Sequence, residues 1–187
     1  MRCKELLAIG GSLGGLAALR EILPLLPGDY GLAVIVLLHQ YRHGTGLPRM
    51  LASYSKLPLA GIDDKADVAR GRIHVCPANY HTLCEQNRTF ALSIEPPVNF
   101  SRPSIDVLFE SAADVYGASV IGVLLSGATS DGAAGLASIK AAGGVAWCQD
   151  PATAEEPTMP RSALARTAVD WIGSPRALGL KLSELSP

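Results

Sequence analysis

Apolar runs alternate with segments of helical periodicity along most of this chain, and that alternation predicts a parallel sheet covered by helices on both faces. Residues 5–9 predict a first strand. The glycine-rich turn 10–15 then leads into Leu16, Leu19, Ile22 and Leu23 at helical spacing. Pro24 and Pro27-Gly28 end that helix. Residues 32–38 are uninterruptedly apolar and predict a second, fully buried strand, followed by a short helix over 47–54 and a third strand over 57–62.

The middle of the chain breaks the rhythm. Residues 72–76, 81–85 and 89–94 predict strands, the last two joined through Gln86-Asn87-Arg88 as a β-hairpin in which Asn87 suits the positive φ of a tight turn. Ser104 is placed to cap a helix that sets Ile105, Leu108, Phe109 and Ala112 on one face. Residues 120–125 predict another buried strand, then a loop to Asp131 and a helix through Lys140. A strand over 145–148 and helices over 161–171 and 175–185 complete the chain, the last with Ser174 as cap and Pro175 at its first position. The expected architecture is one domain over 1–187: α/β, doubly wound and mostly parallel, Rossmann-like, with an inserted β-hairpin.

Composition narrows the class. A length of 187 residues suits one well-packed domain. With 48% apolar and 18% charged residues, little of the chain is left for a disordered tail. The formal net charge is −1 and no Lys or Arg run occurs, which argues against a nucleic-acid partner. Cys3, Cys76, Cys84 and Cys148 form no CxxC pair or metal-ligand spacing, so they read as free thiols in a reducing compartment. No cofactor is expected. The longest apolar runs are far too short to span a bilayer. The N-terminus passes straight into a strand and turn rather than a signal peptide. No membrane insertion and a cytoplasmic location are expected.

Gly10-Gly11-Ser12-Leu13-Gly14 fits G-x-S-x-G between a strand and a helix, which exposes a serine at the carboxyl edge of the sheet beside amides able to stabilise an oxyanion. The same spacing also fits a plain helix cap or a phosphate-binding turn. A dinucleotide fingerprint would need glycine at Ser12, and a P-loop would need Lys-Ser or Lys-Thr after Gly15. His39 follows directly on the strand 32–38, so topology brings it to the same edge as Ser12, with His43 a rival in the same loop. His74 and His81 fall in or beside strands and read as structural. Asp131 and Asp150 both follow buried strands, and either could orient the imidazole. Asp131 also suits a cap on the helix that it precedes.

Taken together, the chain resembles the catalytic domain of the chemotaxis protein-glutamate methylesterases, the CheB type, over nearly its full length. The resemblance rests on residues 8–15 as the nucleophile turn, Leu38-His39 at a strand end, and the helix-opening motif Arg102-Pro103-Ser104-Ile105-Asp106-Val107-Leu108-Phe109. It also rests on Leu125-Ser126-Gly127 with Asp131-Gly132-Ala133, and on Gln149-Asp150 with Met159-Pro160. It implies Ser12 as nucleophile, His39 as base and Asp131 as the orienting carboxylate. Leu13 and Ala128 become the oxyanion and substrate-binding candidates, Ala128 through its backbone amide. It implies hydrolysis of glutamate γ-methyl esters on methyl-accepting chemotaxis receptors with release of methanol, deamidation of receptor glutamines, and no metal. Departures occur at Leu13, where the family usually has Thr, at Gly127-Ala128-Thr129 in place of Gly-Met-Gly, and at Thr158 in place of Gly. No receiver domain precedes the first strand, which fits either a stand-alone esterase, with a separate regulatory or receiver protein as partner, or a piece of a longer chain that carries one. The competing readings are a catalytically weak signalling domain of the same fold and a phosphate binder at the 10–15 turn.

Overall fold

The computed structural model describes residues 4–39 and 46–185. Its first strand, β1 (Leu6–Gly11), is buried along its whole length, as is the second, β2 (Ala33–Leu38). Helix α1 (Gly15–Ile22) connects them. Beyond β2 come the short helix α2 (Leu47–Ala52), the edge strand β3 (Leu59–Gly61) and β4 (Arg72–Val75). An antiparallel hairpin of β5 (His81–Cys84) and β6 (Phe90–Ser93) stands apart from the main sheet. The second half runs α3 (Ile105–Tyr116), β7 (Val120–Leu124), α4 (Ala133–Ala141), β8 (Val145–Gln149), α5 (Thr158–Arg166), β9 (Trp171–Gly173) and α6 (Pro175–Ser183).

The seven-stranded sheet has the order β3-β4-β2-β1-β7-β8-β9, and every neighbouring pair is parallel. The sequence expectation of a doubly wound α/β sheet with a separate hairpin is met. The central strands β1, β2 and β7 need apolar residues on both faces, because helices cover both. In β1, Leu6 and Ala8 join a core with Ile105, Phe109, Leu136 and Ile139 of α3 and α4. Leu7 and Ile9 join the opposite core with Leu19, Ile22, Leu178 and Leu182 of α1 and α6. The chain winds outward from β1 through β2 and then returns to β7 on the other side. The carboxyl ends of β1 and β7 therefore flank the switch point, where such sheets open a crevice.

Three local expectations are corrected. The helix expected over 161–171 is α5, which starts earlier because Pro160 sits in its first turn, where a missing N–H costs nothing. It also ends earlier, at extended Thr167 (φ −146°), and Trp171 belongs to β9. There the Trp171 ring packs edge-on against Trp147 of β8 at 5.8 Å, with Lys181 Nζ over both rings. In the hairpin the residue with positive φ is Arg88 (66°), not Asn87. The Asn87 side chain accepts from the Thr89 hydroxyl instead (2.8 Å). Third, Asp131 does not cap α4, whose N-cap is Gly132 with no side-chain cap bond. Among the described residues no helix is long and apolar enough to cross a membrane.

Candidate active site

Ser12 leaves the end of β1 on a turn closed by the Gly15 N–H donating to the Ser12 carbonyl (2.8 Å). Gly14 at φ 80° makes that turn possible, and a Cβ there would fall 2.5 Å from Ser126 Oγ. The loop after β7 is bound to this turn. Ser12 N–H donates to the Ser126 carbonyl (2.9 Å), while the Ser126 hydroxyl donates to the Leu13 carbonyl (2.7 Å) and accepts from Glu156 N–H (2.9 Å). Gly127 lies so close to the serine that a Cβ on it would be 2.9 Å from Ser12 Cβ. The Gly127 N–H is used by the Glu156 carbonyl (3.0 Å). The N–H groups of Leu13 and Ala128 are taken up by no hydrogen bond among the described residues.

His39 directly follows β2, and its N–H donates to the Gly11 carbonyl (3.1 Å). Since Gly11 and Leu38 are register partners, Ser12 and His39 leave two adjacent strands at the same level. The imidazole is largely enclosed and its Nε2 donates to Asp131 Oδ2 at 2.8 Å. That bond fixes the ring and leaves Nδ1 as the other nitrogen. His43, the rival base, lies outside the described residues.

Asp131 is wholly buried. An isolated carboxylate could not tolerate that, and the structure supplies donors on both oxygens. Oδ2 accepts from Ile105 N–H (2.7 Å) as well as from His39. Oδ1 accepts from the Ser104 hydroxyl (2.7 Å) and Asp106 N–H (3.1 Å), with the Asn99 amide at 3.5 Å. Asp131 thus caps α3 across the fold rather than its own helix, at the end where the helix dipole favours an anion. Burial pushes its carboxyl up, but His39 and the α3 donors outweigh that and hold it below the usual carboxylate range. Neighbouring Asp106 goes the other way: burial raises it, and the Asp131 charge reinforces the rise against a bond from Gly135 N–H (2.7 Å).

The other candidates fall elsewhere. Asp150 accepts from Ala152 N–H (2.9 Å) and caps a short 3-10 turn, Pro151–Thr153. His74 bonds the Ala69 carbonyl (3.0 Å) and tilts against Phe90, a structural position as expected. His81 is also buried, but it supports the site: its Nδ1 accepts from Ser104 N–H (3.2 Å) and its Nε2 donates to the Pro96 carbonyl (3.1 Å). From sequence, Ser104 is a helix cap and, with Asp106, part of the helix-opening motif, and neither they nor Asn99 stand among the expected site residues. The signal available was a serine and an aspartate, Ser104 and Asp106, flanking buried Ile105 where the helix opens. Cys76, Cys84 and Cys148 are free and buried, and burial pushes each thiol up to about 12.

A serine and a histidine on adjacent strand ends, with a buried carboxylate holding the histidine, define a doubly wound α/β domain of the hydrolase type. The chain belongs to the CheB methylesterase family, whose sequence model matches residues 7–182. It is 46% identical over 169 residues to a Leptospira interrogans protein provisionally named protein-glutamate methylesterase/protein-glutamine glutaminase, covering 90% of this chain and 88% of that one. It is 38% identical over 175 residues to the protein-glutamate methylesterase/protein-glutamine glutaminase of Paraburkholderia xenovorans, of which it spans about half (48%). The crystal structure of the Thermotoga maritima CheB methylesterase catalytic domain superposes with a TM-score of 0.93 at 29% identity, covering 97% of this chain and 98% of that one.

Proposed function

We propose that this chain hydrolyses glutamate γ-methyl esters on methyl-accepting chemotaxis receptors, with Ser12 as nucleophile, His39 as base and Asp131 as the carboxylate that orients and stabilises it. The observation that carries this reading is the 2.8 Å bond from His39 Nε2 to a fully buried Asp131 beside a strand-end serine. With Nε2–H committed to Asp131, Nδ1 takes the Ser12 proton as Oγ attacks the ester carbonyl. The developing oxyanion is met by the Leu13 and Ala128 N–H groups, which no other acceptor uses among the described residues. Collapse expels methoxide, which leaves as methanol with the proton from His39, and a glutamyl ester on Ser12 remains. Water activated by the same nitrogen then releases glutamate. A glutamine side chain follows the same path with ammonia as the leaving group, in line with the paired names of the relatives.

The departures at Leu13 and Ala128 leave this chemistry intact, because both residues act through backbone. That favours an active enzyme over a signalling domain that has lost catalysis. The test is methanol release from a methylated receptor fragment. Wild-type protein should release it, and Ser12→Ala should fold yet be slower by roughly six orders of magnitude, as when a serine nucleophile is deleted from a triad. Comparable release by both proteins would remove Ser12 from the mechanism.

A further inference from the structure

Several exposed apolar side chains share one stretch of chain beside the triad carboxylate. Ile94 (73% exposed) and Val98 stand on loop 94–102, together with Phe100, which is fully exposed. Exposed Tyr80 follows Asn79, which the same loop grips. Grouped apolar exposure of this kind marks a contact surface. The loop is braced from within. Arg102 donates to the Ile94 carbonyl (2.7 Å) and the Glu95 carbonyl (3.1 Å), and through Nη2 to Asn79 Oδ1 (2.8 Å).

At its tip the chain reverses between Val98 and Ser101, which exchange both backbone hydrogen bonds (3.1 and 2.8 Å). The two central residues, Asn99 (φ 48°) and Phe100 (φ 62°), are both left-handed. Such a turn favours Asn followed by Gly. A bulky aromatic at the second position is a strained choice that gains no packing, since its ring is in solvent. The inner residue reaches the site. Asn99 Nδ2 lies 2.7 Å from Asp106 Oδ2 and 3.5 Å from Asp131 Oδ1, so one amide spans the two buried carboxylates.

We propose that this turn reads the protein substrate: Phe100 is a specificity-determining residue that contacts the polypeptide carrying the methyl ester, and Asn99 is a positioning residue that ties the turn to Asp131. The occupant follows from continuity with the site, because the turn is one side chain from the carboxylate that holds His39. The inference rests on the methylesterase reading given above.

The test uses the full chain with two substrates, a methylated receptor fragment followed by methanol release and p-nitrophenyl acetate as a small ester. Phe100→Gly suits the turn better than the native residue, so its melting temperature should be unchanged or higher. Its kcat/KM on the receptor fragment should fall at least tenfold further than on the small ester, with the loss in KM, and Phe100→Tyr should restore most of it. Asn99→Gly keeps the turn and removes the amide, and should lower kcat on both substrates. Equal losses on the two substrates with Phe100→Gly, or none on the receptor fragment, would overturn the proposal. A loss in Asn99→Gly confined to KM would overturn the positioning role. Absence of methanol release by wild-type protein sinks the methylesterase reading itself, an outcome distinct from both.

Discussion

Asp131 carries two duties that act on the same atoms, and its substitution should register both. Its Oδ2 holds His39 and the Ile105 N–H, and its Oδ1 holds the Ser104 hydroxyl and the Asp106 N–H. Asparagine would keep one acceptor and aim an NH2 at donors. The Asp131→Asn protein should therefore lose about 1–3 kcal/mol, the usual cost of leaving buried polar groups unmatched. Turnover should fall by about 10⁴-fold, as when the carboxylate of a comparable triad is neutralised. Thermal unfolding and methanol release measured on one preparation check the two effects together. Asp150→Asn is the contrast. It perturbs a cap on a 3-10 turn, so about 1 kcal/mol or less and near-native turnover are expected. By local residue pattern Asp131 and Asp150 are nearly equivalent, each a carboxylate after a buried strand, and only the family resemblance favours Asp131 in sequence. What separates them is contact with a helix start 26 residues away, which no local pattern encodes.

The N-terminus of α3 is the element on which the site is assembled. Ser104 caps it by accepting from Val107 N–H (3.5 Å), while its own proton goes to Asp131 and its N–H to His81. Ser104→Ala should cost roughly 1 kcal/mol for the cap. It should also slow turnover by about tenfold, since a lost bond worth about 1.4 kcal/mol at the carboxylate corresponds to that factor. A fall in melting temperature with kcat unchanged would assign Ser104 to stability alone. The cap was legible, because Ser-x-x before a periodic apolar face is a local signature. Its second use was not. The buried strands β1, β2 and β7 were equally legible, since burial on both faces leaves an unbroken apolar run. By contrast, β9 has three residues at a sheet edge, and its exposed Ile172 beside Trp171 gives no period to read.

Across the whole molecule, the two cores on either face of the sheet leave the site as the place where charge is buried. Because the Asp131 carboxyl is held below its ordinary value, its contribution to stability is fully present above the unfolded value of about 4. It is lost as pH falls through the lowered folded value. Acid unfolding followed from pH 6 to pH 2 should therefore be steeper for wild-type protein than for Asp131→Asn, and parallel curves would contradict the assignment. The paired tryptophans of β8 and β9 have a different use. They are the only two in the chain and they sit together at the far edge of the sheet, under Lys181 of α6. Intrinsic emission is thus an optical reporter of one border, blind to the turn that carries Ser12. Since Leu178 and Leu182 anchor α6 in the same core as β1, emission and far-ultraviolet dichroism should share one midpoint in denaturant. An emission midpoint at lower denaturant would mean that the border detaches first, and the colour of the light would then record a partial opening that activity assays miss.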